Sequence, residues 1–200
     1  MTFLCRADFL EPTRLWRRGE ILLPDCPVPR EAGVYGWYFR EVPPSVPTKG
    51  CLTADGASLL YVGISPKRPP QNGAPASRQS LRSRIRYHYR GNAAGSTLRL
   101  SLGCLLRTEI QTELRRVGSG ERFTFASEEA ALSEWMDRNA LVVWAASDAP
   151  WTVEEALIKS ISLPLNLDQN RGHPFHQELS FLRQEARARA RELPVWHRDS

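Results

Sequence analysis

The chain has 200 residues, 42% of them hydrophobic and 24% charged, with mean hydropathy −0.40. That length supports a core without disulfide or metal staples, and no apolar run approaches the roughly 20 residues that cross a bilayer, so a transmembrane protein is excluded. The net charge of +5 is local in origin: no acidic residue lies between Asp55 and Glu109, a window with nine cations, while the remainder holds 18 cations against 22 anions. Such a segment on a mildly acidic body suits a polyanion such as nucleic acid, and charge alone fits a solvated arginine-rich face equally well.

The start of the chain, MTFLCRADFLEPTRLWRR, has no uninterrupted apolar stretch after a basic start and is not expected to be a secretory signal. Cys5, Cys26, Cys51 and Cys104 are scattered without a C-x-x-C pair. They read as reduced thiols, which predicts a cytoplasmic protein rather than a zinc or disulfide framework.

Residues 1–30 are short apolar pieces and turns, expected as an N-terminal extension. GVYGWYF, 33–39, and LLYVGIS, 59–65, are aromatic and β-branched and predict two strands paired antiparallel. The segments joining and following them, 41–58 and 66–77, are loops by their Pro and Gly content, the second expected to be mobile. Residues 80–91 predict a helix capped by Ser80 and stopped at Gly91, with Leu81, Ile85 and Tyr89 facing the core. Arg82, Arg86 and Arg90 form a second line on it, and Arg84 and His88 a third. The Leu and Ile spacing over 97–116 predicts a mostly helical segment, followed by a short strand at GERFTFA. A helix is expected over 127–140 with Ser127 as cap, then a buried strand over 141–147. Helix 151–162 is expected to open with a Thr152/Glu155 capping box, and a last helix runs from His173 with Phe175, Leu179, Leu182 and Ala186 as its apolar line. His173 and His176 fit a role at that helix start better than a metal pair. Trp135, Trp144 and Trp151 read as packing residues, and neither a G-x-S-x-G elbow nor a phosphate-binding glycine loop is present.

Two tripeptides stand on the first two strands, Gly33-Val34-Tyr35 and Tyr61-Val62-Gly63. Behind them, in order, come LRSRIRYHY with Arg84 before Ile85, EEALIK with Glu154 three residues before Leu157, and LPLN ending in Asn166. Taken singly each has an ordinary structural explanation. Their joint order resembles the GIY-YIG nuclease superfamily, with Val for Ile in both tripeptides and longer loops between the motifs. The resemblance implies a small α/β fold, a mainly antiparallel three-stranded sheet flanked by helices. It places the nuclease-like domain at 31–170, between the extension 1–30 and a C-terminal helical extension, 171–200.

It also implies an endonuclease that hydrolyses DNA, RNA not being excluded, with Mg²⁺ or Mn²⁺ as cofactor. Tyr35, Tyr61, Arg84, His88, Glu154 and Asn166 would be its catalytic residues, Gly33 and Gly63 its motif glycines, and Glu154 its metal ligand. The chemistry is coherent. A carboxylate holds a hard divalent ion, an arginine fork stays cationic against phosphate oxygens, and a tyrosine, Tyr35 rather than Tyr61, positions or deprotonates the attacking water. His88 would orient that tyrosine or contact phosphate, and Asn166 would order backbone. Lys67, Arg68, Arg78, Arg82, Arg86 and Arg90 are the expected backbone-binding cations. The alternatives are a silent nucleic-acid-binding module on the same fold, and an adaptor that uses the last helix, which could also pair with a second copy as a homodimer.

Overall fold

The computed structural model describes residues 10–70 and 77–197. Cys5 and residues 71–76, the middle of the loop expected to be mobile, lie outside the described residues. In chain order the elements are β1 (Trp16–Arg17), α1 (Arg18–Leu22), β2 (Gly33–Phe39), β3 (Thr53–Ala54), β4 (Ala57–Ser65), α2 (Leu81–Arg90), α3 (Thr97–Leu105), β5 (Arg115–Val117), β6 (Arg122–Thr124), α4 (Glu129–Asn139), β7 (Ala140–Ala146), α5 (Pro150–Ser160) and α6 (His176–Glu192).

The main sheet is antiparallel, in the order β1-β7-β2-β4-β3. It has five strands among the described residues, not the three expected. The two additions, β1 and β3, are two-residue edges too short to carry an alternating pattern. β2 lies at the centre and is buried along its whole length, which explains why GVYGWYF is apolar on both faces. Tyr35, Trp37 and Phe39 enter one core with Leu60, Leu81, Ile85, Leu98, Trp135 and Leu179, contributed by β4, α2, α3, α4 and α6. Val34 and Tyr38 enter a second core with Leu59, Val62, Leu141, Val143, Val153 and Leu157, where α5 covers the opposite face. The sheet is thus sandwiched between a thick helical layer and a single helix.

Several expected boundaries move. The 97–116 helix stops at Leu105, and the Thr112 hydroxyl donates to the Gly103 carbonyl (2.8 Å) as the chain turns back. Residues 115–117 then pair with 122–124 as a hairpin whose turn holds Gly118 and Gly120 at positive φ. Ser127 caps nothing. It lies in a 3₁₀ turn, its hydroxyl donating to Glu128 (2.8 Å), and α4 begins at Glu129. The Thr152/Glu155 capping box does not form: α5 opens on Pro150 one turn earlier, and Glu155 accepts from Lys159 Nζ at 2.7 Å.

The last helix spends its apolar line inside the chain. Leu179, Ala186 and Ala190 are buried, and α6 packs along α3 and β5. The expectation of a homodimer through this helix therefore finds no support. At its start His173 Nδ1 accepts the Phe175 N–H at 3.1 Å. Among the described residues no helix is long and apolar enough to cross a membrane, and Cys26, Cys51 and Cys104 are free thiols.

Candidate active site

The register of β2 on β4 sets Tyr35 opposite Gly63. The Tyr35 ring lies across β4 there: a Cβ on residue 63 would sit 2.6 Å from the phenol oxygen and 2.7 Å from Cζ. A side chain at Gly33 would strike the Ala145 carbonyl on β7 and Leu81 at the head of α2. Both glycines are thus required by close approach of neighbours. One β-bulge accompanies them. Trp37 pairs with Tyr61 and Tyr38 with Leu59, so Leu60 is unpaired. Leu60 and Tyr61 then share a face, with Leu59 and Val62 on the other. The bulge turns the Tyr61 ring toward Tyr35 and His88.

α2 presents Arg84 and His88 to the same place. The Tyr35 hydroxyl is 2.8 Å from His88 Nε2, His88 Nδ1 is 2.7 Å from Ser96 Oγ, and Arg84 Nε donates to the Tyr35 oxygen at 3.4 Å. Burial holds the His88 imidazole well below its ordinary range, and the Arg84 and Arg99 guanidiniums push it the same way. Neutral His88 has one donor and one acceptor nitrogen. Tyr35 is buried, and donation from its O–H to Nε2 satisfies its only proton. That arrangement puts the ring proton on Nδ1, facing Ser96. Burial raises the Tyr35 phenol strongly, Tyr61 adds to this and Arg84 opposes it, so the resting group is a neutral phenol. Arg84 is braced by an Nη1 hydrogen bond to the Gly95 carbonyl at 2.8 Å. Its Nη2 has no partner among the described residues.

Glu154 reaches the site from α5. Burial pushes its carboxyl up to about 7, with the neighbouring Asp168 carboxylate acting the same way and Gln169 and Lys67 opposing. The Glu154 charge bears on both Tyr35 and Tyr61, and Asp168 also bears on Tyr61. Burial raises the Tyr61 hydroxyl, and a hydrogen bond with Thr97 at the head of α3 opposes that rise. Asn166 clamps β4 between the two motif residues. Val62 N–H donates to its Oδ1 (2.9 Å), and its Nδ2 donates to the Val62 carbonyl (2.8 Å). The side-chain amide completes a ladder that β3 is too short to reach.

Two tyrosines, an arginine and a histidine thus meet between β2, β4 and α2, and the charge of Glu154 on α5 bears on both tyrosines. Residues 33–185 match the family described as GIY-YIG catalytic domain. The chain belongs to the GIY-YIG family. Among curated proteins and among solved structures, nothing matches the chain. A GIY-YIG domain is a nuclease-type catalytic domain, its substrate a nucleic acid, and such nucleases generally use a divalent metal.

The donors of this GIY-YIG domain fit a hard divalent ion. Glu154 and Asp168 supply carboxylate oxygens, and neither carboxylate forms an ion pair among the described residues. No group of three or more His, Cys, Asp or Glu side chains able to hold a metal occurs among the described residues. One or two carboxylates are enough for a hard divalent ion that keeps most of its waters.

The basic residues divide. Lys67, Arg68 and Arg78 are exposed on the loop before α2, with the Lys67 charge acting on Glu154. Arg82 Nε donates to the Val28 carbonyl (2.6 Å), and Arg86 and Arg90 donate through Nη2 to the Leu22 carbonyl (3.0 and 3.4 Å). Those three also fasten the N-terminal segment to α2. Sequence reading missed Ser96, Thr97, Asp168 and the Gly95 carbonyl. Ser96 carried a signal, since a serine before T-L-R-L is an N-cap, and its Oγ does accept the Arg99 N–H at 3.1 Å. The others are recognisable only once the chain is folded.

Proposed function

We propose that this GIY-YIG domain is a divalent-metal-dependent endonuclease that hydrolyses phosphodiester bonds of DNA. The observation that carries the reading is the Tyr35–His88–Arg84 hydrogen-bonded cluster lying within the field of Glu154. Tyr35 accepts a hydrogen bond from the attacking water through its phenol oxygen while donating to His88 Nε2. As the water attacks phosphorus, its proton passes to the Tyr35 oxygen and the phenol proton to His88. A cation on His88 is disfavoured at rest and becomes tolerable only as negative charge grows on the phosphate. Arg84, held by the Gly95 carbonyl, meets that charge with its free Nη2. Glu154, with Asp168 beside it, would hold Mg²⁺ or Mn²⁺, which when bound neutralises the phosphate and steadies the leaving oxygen. The Tyr61 ring packs edge-on against His88, ring centroids 6.4 Å apart. Lys67, Arg68 and Arg78, with the free N–H groups of Arg82, Arg86 and Arg90, serve the flanking backbone, and Asn166 keeps β4 in register.

Supercoiled plasmid should be nicked with Mg²⁺ and left intact with EDTA, and Glu154→Gln should abolish nicking while retaining DNA affinity. Normal cutting by Glu154→Gln would overturn the metal assignment. Salt-sensitive binding with no nicking in either metal would make the domain a silent binding module.

A further inference from the structure

α3 begins after Ser96, and that serine does more than cap it. Its Oγ accepts the Arg99 N–H at 3.1 Å, its own N–H donates to the Ala93 carbonyl (3.4 Å) and its carbonyl accepts the Leu100 N–H (3.0 Å). The same Oγ lies 2.7 Å from His88 Nδ1. Serine and histidine are both 0% exposed. The imidazole is walled by the rings of Tyr35, Trp37 and Tyr61, whose centroids lie 5.3, 5.6 and 6.4 Å from its own. Its backbone carbonyl accepts from Arg99 Nη1 at 3.2 Å. Each ring nitrogen therefore has one partner among the described residues, Tyr35 for Nε2 and Ser96 for Nδ1.

We propose that Ser96 is a positioning residue of the reaction, whose hydroxyl oxygen keeps the ring proton on His88 Nδ1 and so leaves the Nε2 lone pair free to take the Tyr35 proton. The inference rests on the nuclease reading above and adds to it a residue that acts through His88. A neutral imidazole carries one proton, and the partner of one nitrogen decides which of the two holds it. With Nδ1–H on Ser96, Nε2 is an acceptor and relieves Tyr35 of its proton. With the proton on Nε2, that nitrogen donates to the phenol oxygen and takes nothing from it. The step moves one proton: the Tyr35 O–H bond breaks, an Nε2–H bond forms, and the Nδ1 proton stays where it was. The ring is then a buried cation with two N–H donors, and both need acceptors. The Tyr35 oxygen meets one and Ser96 Oγ the other. A hydroxyl oxygen has two lone pairs, so Ser96 serves the Arg99 N–H with one and the ring with the second. The cap bond and the two backbone bonds fix Oγ beforehand, and no rearrangement is needed as the charge appears.

The test pairs two substitutions in the full-length protein. Ser96→Ala removes the ring bond and the cap, whereas Ser96→Gly removes the ring bond and costs the helix little as a cap. At saturating plasmid both should nick about 10- to 100-fold more slowly with KM near wild type, the size expected for a hydrogen bond to a charged group. Long-range ¹H–¹⁵N NMR reads the tautomer directly, with His88→Gln assigning the signal. At neutral pH the His88 ring should carry its proton on Nδ1 in wild type and on Nε2 in both variants, where Tyr35 is the remaining acceptor. Circular dichroism melting separates a lost bond from a lost fold, and the wild-type tautomer decides even where a variant fails to fold. An Nε2–H ring in the wild type, a proton that stays on Nδ1 without the serine, or wild-type turnover in folded Ser96→Gly overturns this role and leaves the nuclease reading standing. Absence of nicking by the wild type in Mg²⁺ and in Mn²⁺ overturns both.

Discussion

His88 sits where three demands meet, and its burial gives the protein a titration signature. The imidazole is held neutral well below its ordinary range, whereas in the unfolded chain it takes a proton near pH 6.5. Above that pH neither state is charged and nothing is lost. As pH falls below 6.5 the unfolded state binds a proton that the folded state refuses, so stability drops by up to about 1.4 kcal/mol per pH unit. Glu154, raised to about 7, titrates in the opposite sense over this range, so the readout is the difference between proteins: by urea unfolding, wild type should lose up to about 1.4 kcal/mol relative to His88→Gln between pH 6.5 and 5.5, and equal slopes would place the imidazole in contact with solvent. Gly63 makes a second residue-scale prediction. An alanine there must displace the Tyr35 ring, so Gly63→Ala should cost about 1–3 kcal/mol of overpacking and depress nicking more than binding. Unchanged melting and turnover would mean that the ring moves aside freely. Both tripeptide glycines were legible as strand glycines, but the reason for Gly63 lies 28 residues away on the neighbouring strand, where spacing along the chain says nothing.

At the scale of elements, the long strands and α2 were readable because each bears its own pattern and, for α2, its own cap. Ser80 Oγ accepts the Ser83 N–H (3.3 Å) and Gly91 stops the helix, as expected from sequence. The misread elements owe their form to partners. β1 and β3 exist because β7 and β4 offer open edges, and the Leu60 bulge shows only in a register. The start of α4 is set by Glu129, which accepts the N–H groups of Phe125 (3.1 Å) and Ala93 (2.8 Å). The same carboxylate meets Arg99, 0% exposed, at 2.6 Å, and Arg99 also donates to the His88 carbonyl and to Ser133. Arg99 belonged to the basic segment by sequence yet is the most deeply buried charge described. Glu129→Ala, which strands that guanidinium, should cost about 3–5 kcal/mol in denaturant unfolding, and a change under 1 kcal/mol would mean that water replaces the carboxylate. The Asn166 clamp predicts a graded response. Asn166→Asp can still accept the Val62 N–H but cannot donate to its carbonyl, and Asn166→Ala can do neither. The Val62 amide should remain slow to exchange with deuterium in the aspartate variant and become fast in the alanine variant, with a loss of about 1–3 kcal/mol.

For the molecule as a whole, charge bookkeeping pointed to the right region and left its use open. The window between Asp55 and Glu109 does contain α2 and the loop before it, yet Arg99 is internal and the arginines of α6 begin 74 residues beyond its end, at Arg183. The family match, 33–185, likewise runs on into α6. Three cations of the window also face backward, and that has a practical result. Arg82, Arg86 and Arg90 hook the carbonyls of Leu22 and Val28 from the helix that carries Arg84 and His88. Anyone trimming the protein to a minimal fragment beginning at residue 31 would cut those tethers and leave the helix anchored on its inner side only, its reactive pair less firmly aimed. The leading segment thus behaves as a guy-rope for the chemistry, and the shortest excisable unit begins upstream of Leu22.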